Sequence, residues 1–99
     1  MEPLREYGGT REAEIAVGVT AVLASQGPKR RRTLVFRNTS AGAHVITLGV
    51  GKIAVSGEGI MMNPNEEKFW TTDQAGGPPT QTITAVSNLA GGTLSIYED

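Results

Sequence analysis

Apolar residues in this chain recur mostly at every second position rather than every third or fourth. That is the period of a strand with one buried face. Residues 15–23, IAVGVTAVL, put Ile15, Val17, Val19, Ala21 and Leu23 on one face, and Ser25-Gln26-Gly27-Pro28 ends the run. Residues 32–38 follow, with Leu34 and Phe36 opposite Thr33, Val35 and Arg37. In residues 43–48, His44, Ile46 and Leu48 oppose Val45 and Thr47. Shorter strands are predicted at 52–56 and 60–62, then longer ones at 67–72, 80–87 and 93–98. Between them lie turn clusters: Asn38–Gly42, Gly49–Gly51, Gly57–Gly59, Asn63-Pro64-Asn65-Glu66, Gln74–Pro79 and Asn88–Gly92.

Eight short strands with frequent turns predict an all-β fold, a single compact β-sandwich of antiparallel strands. A jelly roll accommodates eight strands naturally, and an immunoglobulin-like sandwich is the alternative. Residues 1–12 show no period and read as an irregular N-terminal arm before a sandwich domain over 13–99. An arm outside the sandwich is suited to lying across a neighbour, which makes Leu4, Arg5, Tyr7 and Arg11 candidate assembly contacts.

Size sharpens that expectation. A chain of 99 residues buries only about 60–65% of its unfolded surface. Small domains recover stability from disulfides, metals or partners. There is no cysteine, and His44 is the lone histidine, so neither a disulfide nor a metal cage is expected. Association into a homo-oligomer rises accordingly.

Charge adds a direction. The net charge is −1, but residues 15–57 hold no acid and six bases: Lys29, Arg30, Arg31, Arg32, Arg37 and Lys52. All ten acids lie elsewhere, with only Arg5, Arg11 and Lys68 beside them. Such asymmetry suits oriented docking of subunits. The run Lys29–Arg32 either docks an acidic protein surface or is the solvated, charge-protected end of a strand. Nucleic acid is not expected, because no aromatic or groove-reading helix accompanies the run. No apolar run approaches a membrane span and no leader is visible.

Candidate chemistry is sparse. Gly49-Val50-Gly51-Lys52-Ile53-Ala54 matches a dinucleotide-binding pattern, yet no helix follows it to aim amides at a pyrophosphate. His44 has no nucleophile partner, and Glu58, Glu66, Glu67 and Asp73 sit in or near turns. No enzymatic activity and no cofactor are expected. Phe69 and Trp70 are adjacent in a strand, so one enters the core and the other faces out. The outer one is an interface anchor or a stacking platform for a glycan; alternation leaves open which it is.

The stretches RRTLVFRNTSAGAHVITLG, GIMMNPNEEKFW and ITAVSNLAGGTLSIYE together resemble small all-β structural proteins of tailed bacteriophages. In those chains an Arg-x-Leu strand ends in an Asn-x-Ser turn. A corner with leucine, proline and glutamate follows, which Met62, Pro64 and Glu66 match here. The similarity covers residues 30–98 and rests on turn and core positions, so it transfers no site residue. It implies a virion role as a head decoration (cement) protein or a tail or fibre module, with capsid or other virion subunits as partners.

Overall fold

Strands account for all the regular structure that a computed structural model shows for residues 10–74 and 76–99. They are β1 (Arg11–Val17), β2 (Val22–Ser25), β3 (Thr33–Asn38), β4 (Ile46–Val50), β5 (Ile60–Met62), β6 (Glu67–Thr71), β7 (Ile83–Ser87) and β8 (Gly92–Glu98). Leu4, Arg5 and Tyr7 of the expected arm lie outside the described residues. No helix there is long and apolar enough to cross a membrane.

The strands form two four-stranded antiparallel sheets, ordered β1-β8-β3-β6 and β2-β7-β4-β5. First strand pairs with last, second with seventh, third with sixth across the wrap, and the chain repeatedly crosses between sheets. This is jelly-roll topology. An immunoglobulin-like sandwich would keep strands of its first hairpin together in one sheet, so the strand order decides between the two.

Alternation explains the core. Leu34, Phe36, Leu94, Ile96 and Val17 face inward from the first sheet, and Ile46, Leu48, Met62, Ile83 and Ala85 face them from the second. Asn38 closes one end of this interior. Fully buried, it donates from Nδ2 to the carbonyls of His44 (2.8 Å) and Met62 (2.9 Å), and its Oδ1 accepts from the Ser40 amide at 3.0 Å. The corner after Met62 is fixed by the Asn63 amide donating to Glu66 Oε1 at 2.8 Å, with Asn65 at φ 70°.

Three expectations are corrected. Residues 15–23 are not one strand. The chain turns after Val17, where the Gly18 carbonyl accepts from the Ser87 amide at 2.8 Å, and restarts at Val22. The turn reverses the facing, so Val19 and Leu23 point to solvent while Val22 and Ala24 point inward. Residues 52–56 are not a sheet strand either. They belong to a segment, 51–59, folded over the outside of the second sheet with only a Val55–Glu58 bridge of its own. Finally, β1 begins at Arg11, so the strand extends into the expected arm.

Candidate partner-binding site

The run Lys29–Arg32 is expected to dock an acidic surface or to be the solvated end of a strand. The structure divides it. Continuing the inward period of Leu94 and Ile96 puts Glu98 inside the sandwich, in register with Arg11 on β1 and Leu34 on β3. Its side chain is 1% exposed. An ionised carboxylate there requires partners, and the neighbouring segments supply them. Arg11 Nη1 lies 2.6 Å from Oε2; Lys29 Nζ and Arg31 Nε each lie 3.1 Å from Oε1. The Ser25 hydroxyl donates to Oε1 at 2.7 Å.

Arg31 is therefore not a surface cation. It is 3% exposed, and every guanidinium donor has a partner. Nε serves Glu98; Nη1 reaches the carbonyls of Pro79 (2.6 Å) and Gln81 (3.2 Å); Nη2 reaches Ser25 Oγ (2.7 Å) and the Gln26 carbonyl (3.2 Å). The planar fork thereby ties β8 of one sheet to β2 of the other and to the loop before β7. Burial pushes the Glu98 carboxyl up, but Ser25, Arg11, Lys29 and Arg31 more than offset this and hold it at about 2.

Lys29, at 27% side-chain exposure, still reaches the surface beside this cluster. Arg30 and Arg32 are exposed, and Arg32 Nη1 stands 4.0 Å from Asp99. At this end of the sandwich Arg11, Lys29 and Arg31 gather on Glu98, with Arg32 beside Asp99. Arg11 is likewise a β1 residue bonded to Glu98 rather than an arm contact. Arg37 lies elsewhere, on the outside of the first sheet, 4.0 Å from its cross-strand neighbour Glu67.

The aromatic pair resolves cleanly. Trp70 turns inward and meets Phe36 edge-on at 6.2 Å, and Phe69 is 50% exposed on the outer face. Trp70 is accordingly removed as an interface anchor. Phe69, Val35 and Tyr97 stand in one cross-strand row. Beside Tyr97 lies a shallow hollow of about 440 Å³ lined by Glu12, Glu14, Thr39 and Ser95 among others. His44 is half-buried and pairs through Nε2 with the Ala90 carbonyl at 2.8 Å.

The run thus brings Lys29, Arg30 and Arg32 together at one rim, while Arg37 and Phe69 share a different face. Sequence reading missed Glu98 and Ser25. The signal for Glu98 was present in the alternation Leu94, Ile96, Glu98. No protein-family model, curated protein or solved structure matches the chain.

Proposed function

We propose that the chain is a structural protein of a bacteriophage virion that decorates or cements the capsid through contacts between subunits, without catalysis. The observation that carries this reading is the exposed, basic rim of Arg30 and Arg32 at the Glu98 end of a jelly roll whose chain resembles phage structural proteins. Arg30 and Arg32 are exposed there, on a frame that Arg31 and Glu98 make rigid. A rigid positive rim suits an acidic lattice surface, because docking then orders few side chains. Many weak contacts repeated by symmetry add up to firm attachment. In the virion, Leu4, Arg5 and Tyr7 would supply further contacts to neighbouring subunits.

The test adds purified protein to capsids prepared without it. Binding is expected, and charge reversal at Arg30 and Arg32 together should weaken it about tenfold or more at low salt. Absence of wild-type binding defeats the reading. Arg31 is unsuitable for this test, because its reversal would strike the interior.

A second reading, a glycan- or receptor-binding module of a tail or fibre, is favoured by the outer row of Phe69, Val35 and Tyr97 beside the hydroxyl- and carboxylate-lined hollow. Glycan-array binding lost in Phe69→Ala would support it.

A further inference from the structure

We propose that the outer face of the β2-β7-β4-β5 sheet, with segment 51–59 laid across it, is a self-association surface on which a second copy of the chain docks about a two-fold axis. The two sheets differ sharply in composition. The β1-β8-β3-β6 sheet carries Arg11, Glu12, Glu14, Arg37, Glu67, Lys68 and Glu98. None of the four strands of the other sheet carries a charged residue.

Four of the seven large exposed apolar side chains among the described residues also lie there. Leu23 points outward from β2 and Met61 from β5, at 51% and 49% exposure. Ile53 and Val55, at 73% and 49%, stand on the segment between those edges. Large exposed apolar groups brought together in this way mark an interaction surface.

The segment that presents Ile53 and Val55 is firmly seated. Thr84 Oγ1 accepts from the Ala54 amide at 2.8 Å and donates to the Lys52 carbonyl at 3.0 Å. Thr47 Oγ1 accepts from the Gly57 amide at 3.1 Å. Gly49 makes the close approach feasible, since a Cβ there would stand 2.7 Å from both the Lys52 carbonyl oxygen and the Ala54 nitrogen. Beneath the segment Thr47, Ala54 and Val86 are buried, although Thr47 and Val86 face away from the main core. Ile53 and Val55 are therefore held outward by a small second core, and docking on them costs little ordering entropy.

Charge selects the occupant. Strands without cations or anions offer an acidic or basic partner nothing to pair with. Two copies can face each other there without burying like charges. The only charges on segment 51–59 are Lys52 and Glu58, one at each end of the apolar stretch, and among the described residues neither makes an ion pair. A two-fold axis through that stretch sets Lys52 of each copy toward Glu58 of the other, so the surface is its own complement.

Sedimentation velocity and native mass measurement over a concentration series test this on the purified full chain. A dimer with a dissociation constant in about the micromolar range is expected. Ile53→Glu should raise that constant about tenfold or more and, at concentrations well below it where both chains are monomers, leave the thermal midpoint unchanged, because the side chain is mostly solvated in the single chain. Lys52→Glu should weaken the dimer, and Lys52→Glu with Glu58→Lys should restore it; a merely structural role for either residue predicts no rescue. A wild type that stays monomeric, a dimer indifferent to Ile53→Glu, or an assembly without two-fold symmetry overturns the proposal. None of these outcomes touches capsid binding by the basic rim, which lies at the Glu98 end.

Discussion

At the scale of single residues, Glu98 and Arg31 decide how the molecule responds to acid. The folded carboxyl titrates at about 2 against an ordinary 4.5, so folding prefers the ionised form. That preference contributes about 3 kcal/mol and is fully present above pH ~5. It is lost as the pH falls from about 4.5 through about 2. Denaturant titrations over that window should show stability falling, and Glu98→Gln should flatten the Glu98 share of the fall. Arg31→Met should cost about 3–5 kcal/mol in the same measurement, since it strands a buried carboxylate. Trp70→Ala should cost about 3 kcal/mol, and Phe69→Ala less than about 1 kcal/mol. The sequence did place Phe69 and Trp70 on opposite faces, and it contained the alternation that carries Glu98 inward. It also made Glu98 look like any other acid near a chain end. Only the packing of three separate segments around it shows why an anion can sit inside.

Among elements, the pattern of apolar positions was a good guide to strands and a poor guide to breaks. β3, β5, β6 and β8 fall within about two residues of the alternating segments. The run 15–23 alternates without interruption, yet its middle makes the passage between sheets, because Gly18 gives its carbonyl to Ser87. Alternation reports that residues could lie in a strand; it does not report which sheet the strand joins. Residues 52–56 also alternate, and the reason is now visible: Ala54 packs down while Ile53 and Val55 face out. The segment obeys the period of a strand with the second sheet in place of a neighbouring strand. Gly49→Ala tests how strongly it is seated. The added methyl meets backbone rather than a yielding side chain, so the segment should lift. Hydrogen exchange at the Ala54 amide should then accelerate about tenfold or more, as its opening free energy falls.

For the molecule as a whole, length, composition and turn spacing pointed to the sandwich, while strand order and the contrast between a charged and an uncharged sheet emerged only in three dimensions. Residues 15–57 lack acids, but their cations divide between the Glu98 rim, the outer face of the first sheet and segment 51–59, so the asymmetry along the chain is not a simple dipole in space. The topology also sets the folding rate. Arg11 pairs with Glu98, and most strand partners are distant in sequence. Refolding by stopped-flow fluorescence of Trp70 should therefore take about milliseconds to seconds rather than microseconds. The position of β8 has a further consequence for the order of events on the ribosome. This strand, eighth to be made, lies between β1 and β3 and pairs with both. Until it emerges, β3 and β6 can find each other, but β1 has no strand to join in its own sheet, and Arg11, Lys29 and Arg31 await their common anion. The growing chain must keep β1 unpaired in this sheet until β8 arrives, so the charged sheet is completed from its middle.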